Sequence, residues 1–178
     1  NMKYAAFAQT GLESVSLPDG IEHVGEFCFQ EIAAERVDLS NTSLTEMYRG
    51  LFVGAESLKE VILPASLKIL NNTNFLECAS LTTVKCLAQE PPLVGEPCFE
   101  DAVKTSATLY VLDASLPAYK SANVWKDFFA VKGLTATGLS SPEAADDDTE
   151  RIYDLNGRMI NESSVKGVYI KNGKKYVK

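Results

Sequence analysis

Phenylalanine returns along this chain on a nearly fixed step. Phe7, Phe29, Phe52, Phe75 and Phe99 are separated by 22, 23, 23 and 24 residues. A second ruler agrees with the first: Val15, Val37, Val61 and Val84 follow one another at 22, 24 and 23. Self-similarity at this period marks a stacked repeat, and it constrains the fold more than any local propensity can. One copy is too short to bury its own apolar stripe. Stacked copies make one continuous core, so the pattern predicts a solenoid.

The interior of each copy follows from residue spacing. The valines sit in a Leu-x-x-Val-x-Leu frame: Leu12/Val15/Leu17, Leu58/Val61/Leu63, and Leu81/Val84 followed by Cys86, with a weaker Ala34/Val37/Leu39. Val15 and Leu17 alternate with Ser14 and Ser16, the period of a strand with one buried face. Pro18 and Pro64 end two of the segments, because proline donates nothing to a ladder. A second apolar pair, Ile21/Val24, Leu44/Met47 and Leu67/Leu70, makes a return wall. Each Phe, beside Ala6, Cys28, Leu51, Asn74 or Cys98, plugs the interior. The expected fold is a β-rich α/β solenoid, a right-handed superhelix of four to five turns of about 23 residues. Its parallel strands are predicted near 14–17, 36–39, 60–63 and 83–86, with Phe29, Phe52, Phe75 and Phe99 buried.

The frame Leu12-x-x-Val15-x-Leu17-Pro18…Ile21-x-x-Val24-Gly25-x-x-Cys28-Phe29, with Phe75-Leu76-Glu77-Cys78-Ala79-Ser80-Leu81, resembles the leucine-rich repeat of the Bacteroides surface protein A type. Longer-known leucine-rich repeats carry Asn or Cys in the turn after the strand. Here Gly20, Thr42 and Ser66 stand there, so no asparagine ladder is expected. Cys86–Pro92, Cys98-Phe99, Leu109-Tyr110-Val111, Tyr119-Lys120 and Trp125–Phe128 are similar to the usual terminal turn of that family. The residues themselves read as a cap over about 108–133: a strand at Thr108–Leu112, a short helix N-capped by Ser115 and running to about Ser121 with Pro117 in its first turn, and Trp125, Phe128 and Phe129 as a lid.

Charge divides the chain. Residues 1–133, the expected solenoid domain, carry 17 acidic and 10 basic side chains. Residues 134–150 hold five acids and no cation, including Asp146-Asp147-Asp148, and read as an acidic linker. Residues 151–178 carry seven Lys/Arg against two acids. There, Asn156-Gly157 and Asn172-Gly173 lie between apolar runs, the strongest short hairpin signal, and predict a small two-hairpin antiparallel module. Ile152–Arg158 and Lys166–Ile170 with Gly173-Lys-Lys175 resemble the end of a type IX sorting domain of the Bacteroidetes. The tail sheet is expected to dock near the cap, around Trp125 and Phe129, with intermolecular strand addition as the alternative.

Much chemistry is excluded. A net charge of −7 argues against a nucleic-acid surface, which needs clustered cations. No apolar run is long enough to span a bilayer, and no signal peptide precedes the patterned sequence, which leaves export undecided. His23, the only histidine, falls in a turn without catalytic or metal partners and reads as a surface residue. Cys28 and Cys98 share one repeat position three copies apart, about 15 Å at one strand spacing per copy, beyond disulfide reach. With Cys78 and Cys86 they read as buried free thiols, the alternative being a Cys78–Cys86 or Cys78–Cys98 contact between neighbouring turns. Sequons begin at Asn41, Asn71 and Asn161. No catalytic set, metal site or cofactor fingerprint is found, so the expectation is a protein that is not an enzyme.

Function then falls to the surface. The outward strand positions Ser14, Ser16, Arg36, Asp38, Glu60, Ile62, Thr83 and Lys85 form the candidate ligand-binding face. The leading expectation is a secreted or cell-surface module, associated with the outer membrane, that binds protein or glycan; the family resemblance implies adhesion to host proteins. The alternative is a structural spacer with no ligand. The first copy lacks a strand before Phe7, so residue 1 reads as a truncation point with an apolar edge behind it. Self-association is expected through that edge or through the C-terminal strands.

Overall fold

The computed structural model describes residues 2–134 and, beyond them, the backbone of 152–154, 159–160, 168–171 and 174–177. The chain divides into two compact units, Asn1–Leu139 and Ser140–Lys178.

The first unit is a solenoid-like repeat whose largest element is a parallel sheet. Its six strands are β1 (Ser14–Ser16), β2 (Arg36–Asp38), β4 (Glu60–Leu63), β6 (Thr83–Cys86), β8 (Thr108–Leu112) and β9 (Ala130–Leu134), stacked in that order. Val15, Val37, Val61, Val84, Leu109 and Val131 lie in one register column and face inward. The strands expected at the first four valines are thus present, within a residue at either end. The return wall is a second parallel sheet of three two-residue strands, β3 (Glu46–Met47), β5 (Ile69–Leu70) and β7 (Leu93–Val94). Met47 and Leu70 point into the core, and Val94 packs against it.

A third side closes each copy, and its geometry is not that of a strand. The residues two before Phe, Phe itself and two after each donate a backbone N–H to the next copy. Phe27, Phe29 and Glu31 donate to the carbonyls of Arg49, Leu51 and Val53 at 2.9–3.2 Å; Gly50, Phe52 and Gly54 donate to those of Asn72, Asn74 and Leu76. Both flanking positions are left-handed in successive copies: Ala5, Phe27, Gly50 and Thr73 before Phe, Gln9, Glu31, Gly54 and Glu77 after it, with φ between +48° and +73°. The ladder ends where the carboxylate of Glu100 accepts the N–H of Glu77 at 2.9 Å in place of a backbone carbonyl.

The Phe side chains run up the interior as one stack. Consecutive centroids from Phe7 to Phe99 lie 5.0–5.8 Å apart with planes within 10° of parallel. That spacing is slightly wider than the strand separation, as offset stacking requires. Phe29, Phe52, Phe75 and Phe99 are buried, while Phe7 remains 38% exposed. Asn74 is the one fully buried polar side chain beside the stack. It satisfies itself by accepting the Leu51 N–H at 2.9 Å and donating to the Asn71 carbonyl at 2.8 Å. After Phe99 the stacking turns edge-on: Trp125 and Phe128 meet that ring at 63° and 80°.

The cap is built from α1 (Asp101–Ser106), β8, α2 (Leu116–Tyr119) and β9. Trp125 donates its indole N–H to the Pro92 carbonyl at 2.8 Å, and Tyr119 donates its hydroxyl to the Ala88 carbonyl at 2.9 Å. Three expectations change here. Phe129 is 73% exposed and is no part of the lid, because Phe128 and Val131 already turn inward on either side of it. Ser115 precedes α2 but makes no capping hydrogen bond; its buried hydroxyl has no partner. The helix is a single turn and stops at Tyr119.

The four cysteines are buried and free. Burial pushes the Cys86 thiol up to about 11 and the Cys78 thiol up to about 12, and raises Cys28 and Cys98 as well. They behave as small apolar groups.

In the second unit, β10 (Ile152–Asp154), β11 (Met159–Ile160), β12 (Val168–Lys171) and β13 (Lys174–Val177) pair antiparallel in the order β11-β10-β12-β13. In register, Ile152 pairs with Ile160, and Lys171 pairs with Lys174. Of the expected linker 134–150, Leu134 belongs to β9, where it pairs with Leu112; residues 135–150, both Asn-Gly turns and the expected docking of the tail lie outside the described residues.

Candidate ligand-binding face

Alternation along the six-stranded sheet sends two side chains per strand away from the core, and on the longer β8 and β9 a third, Leu112 and Leu134. Parallel in-register pairing then aligns them into two columns. One runs Ser14, Arg36, Glu60, Thr83, Thr108, Ala130; the other runs Ser16, Asp38, Ile62, Lys85, Tyr110, Lys132. The structure therefore brings all eight sequence-predicted residues onto one face. It also adds four that sequence reasoning missed, Thr108, Tyr110, Ala130 and Lys132. The signal for the first two was available: Leu109 and Val111 alternate with Tyr110 as Val15 and Leu17 do with Ser16. Reading 108–133 as a cap kept its strands out of the candidate face.

Ile62 is a correction. The register puts it on the outer face, yet it is 1% exposed and offers a ligand nothing. It stands on a central strand between Asp38 and Lys85, and these neighbours are ion-paired, Asp38 with Arg36 at 3.2 Å and Lys85 with Glu60 at 3.4 Å. Arg36 also meets Glu60 at 3.1 Å. The middle of the face is a lattice of four charges, Asp38–Arg36–Glu60–Lys85, each with its partner. Ser14 and Ser16 at one end are exposed, and Lys132 at the other is exposed.

The other sides differ in kind. A groove of about 510 Å³ on the third side is lined by Glu31, Glu56 and Glu77, with Ile32, Ala33, Gly54 and Ser57, and no Lys or Arg is among these residues. After the strands, Thr42 and Ser66 bond nearby carbonyls, those of Leu39 at 2.8 Å and Leu44 at 2.7 Å, and so serve the backbone. His23 lies exposed beside the Tyr48 ring, 6.5 Å between centroids. Among the described residues no group of three His, Cys, Asp or Glu could hold a metal ion. Among them, too, no helix is long and apolar enough to cross a membrane.

Stacked copies that contribute one parallel strand each, with a Leu/Val wall inside and a ruled outer face, define a leucine-rich repeat protein of the short, three-sided kind. Six copies of the BspA type leucine rich repeat region match residues 1–108, and the chain belongs to that family. No curated protein and no solved structure matches the chain. The matched repeats end as β8 begins, so Tyr110 and Lys132 extend the face beyond them.

Proposed function

We propose that the chain is a secreted or cell-surface binding module whose six-stranded face takes a protein or glycan ligand, in adhesion to a host. We read the array as a right-handed superhelix of four to five turns, with residues 135–150 as linker and 151–178 as an antiparallel module derived from a type IX sorting domain. The observation that carries the binding reading is the face itself. Twelve side chains stand in two registered columns, eleven of them at least half-exposed or partly accessible and fixed by the sheet beneath. Leucine-rich repeats generally mediate protein binding, and rigid registered columns explain why: little side-chain order is lost when a partner arrives.

A spacer is the second reading, and one observation favours it. The charges at the centre of the face already satisfy one another, so that patch loses ion pairs if it binds anything. In either reading the protein is not an enzyme.

A thermal-shift screen against extracellular matrix proteins and glycans separates the two. A ligand at about 100 times its Kd stabilises the folded state by about 2.7 kcal/mol, a shift of several degrees. The binding reading expects such a shift, abolished by a bulky substitution at some point along the face, Ser16→Trp at one end, Thr83→Arg in the middle or Thr108→Trp toward the other end. Shifts that ignore all three substitutions, or none across the panel, leave the spacer.

A further inference from the structure

The outer face is not uniform along its six strands. Its charge lattice is closed at Lys85, and the next two strands carry Thr108 and Tyr110, then Ala130 and Lys132, with no acid among them. Lys132 is exposed and joins none of the ion pairs found among the described residues. Tyr110 stands half-buried between Lys85 and Lys132 in one column.

We infer that this end of the face, Tyr110 and Lys132 with Thr108 beside them, anchors a protein ligand through the carboxylate of an acidic side chain in an extended segment. The inference rests on the reading of the six-stranded face as the binding face, and adds a position and a chemistry to it. Neighbouring strands are about 4.8 Å apart, so a phenol and an ammonium on adjacent strands can close on one carboxylate. Such charge-assisted bonds are the strong ones, and tyrosine gives an anchor with little side-chain entropy to lose.

Charge placement chooses the partner's sign. Residues 1–133 have seven more acids than bases, and the third-side groove is lined with Glu31, Glu56 and Glu77. An acidic segment is repelled there. The outer face runs the other way, its cations Arg36, Lys85 and Lys132 outnumbering its acids Asp38 and Glu60, with the surplus at Lys132. Complementarity of this sort sets orientation and suppresses wrong docking more than it adds raw affinity. Binding at this end also leaves the four-charge lattice intact.

The test is an amide chemical-shift titration of the full chain with an acetylated octapeptide alternating glutamate and threonine. Its glutamine-for-glutamate counterpart and a heparin-derived hexasaccharide are the comparison ligands. The expected result is shifts confined to 108–112 and 130–134, with about tenfold weaker binding for the glutamine peptide. Lys132→Glu should weaken the acidic peptide by about tenfold and Tyr110→Phe by about threefold, with the spectrum elsewhere unchanged. Shifts centred on Arg36 and Glu60 overturn the anchor and leave the face reading standing. Shifts off the sheet count against both. No binding, indifference to Lys132→Glu, or tighter Lys132-dependent binding of the hexasaccharide overturns the acidic-protein assignment, while the thermal-shift screen decides the face reading on its own.

Discussion

The main sheet and the third side perform the same task, hydrogen-bonding each copy to the next, with opposite backbone means. On the main sheet an extended chain alternates side chains in and out, and Val, Leu and Cys fill the inner column. On the third side the chain doubles back through two left-handed residues per copy, with one Phe driven inward between them. Left-handed geometry costs an ordinary L-residue roughly 1–2 kcal/mol. Copies nonetheless hold Phe27, Glu31, Thr73 and Glu77 there. The lesson is that the buried Phe and its flanking ladder together outweigh the strain. One side is specified by its pattern; the other is imposed by what it plugs.

The heaviest blow to this comparison is a pair of truncations, one per side. Phe52→Ala should cost about 3–5 kcal/mol, because it opens a gap in the ring stack between Phe29 and Phe75. Leu63→Ala, at a fully buried main-sheet position, should cost about 2–5 kcal/mol and fall below Phe52→Ala. Urea unfolding of both variants measures the order. If Leu63→Ala is the more damaging by a clear margin, the Phe stack does not hold the third side as argued.

A pair of thiols sharpens the comparison at smaller scale. Cys86 lies in the main sheet and Cys78 on the third side, and burial raises them to about 11 and about 12 from an ordinary 9.0. Above pH 9 the unfolded chain releases these protons while the folded chain keeps them. Each thiol therefore contributes stability that is complete below pH 9 and lost as pH rises toward its folded value, at about 1.4 kcal/mol per pH unit. Cys86→Ala should remove its share of the alkaline loss between 9 and 11, about 2–3 kcal/mol in all. Cys78→Ala should remove a share that continues to about 12. Chemical denaturation from pH 8 to 11.5 distinguishes them; identical slopes for both variants and the parent chain would count against thiol burial on either side.

The same two sides were unequally legible in the sequence. Val15, Val37, Val61 and Val84 announce strands because period-two alternation and a fixed step are both visible in letters. The interior of the Phe stack follows equally directly. The left-handed positions do not, since Glu31, Phe27 and Glu77 carry no mark of positive φ; only Gly50 and Gly54 hint at it. The second sheet is half-legible, because Met47, Leu70 and Val94 show burial while two-residue strands show no period. On the candidate face the register could be read for four strands. Two things could not: the burial of Ile62 at an outward position, and the extension to Lys132, which depends on β9 joining the sheet.

The smallest expected effect tests the third side alone. Gly54 and Glu77 occupy the same left-handed place in adjacent copies, at φ +73° and +58°. Gly54→Ala keeps the chain's length and charge but gives that backbone a Cβ, which would stand 2.7 Å from Cγ of Glu31. The Glu31 carboxylate accepts from Gln9 at 3.1 Å and from Gln30 at 2.7 Å, exposed hydrogen bonds that water replaces if the side chain swings aside, so the main cost is the left-handed conformation, about 1–2 kcal/mol. Glu77→Gly makes the opposite exchange. It removes that conformational cost but adds the backbone freedom of glycine to the unfolded chain, worth about 0.5–1 kcal/mol. The two terms nearly cancel, and the variant should be neutral or more stable by up to about 1 kcal/mol. Comparison of the two thermal midpoints is the measurement. A destabilised Glu77→Gly would mean that the Glu77 side chain holds the ladder by contacts of its own, and that the third side is specified by residues as well as imposed by the stack.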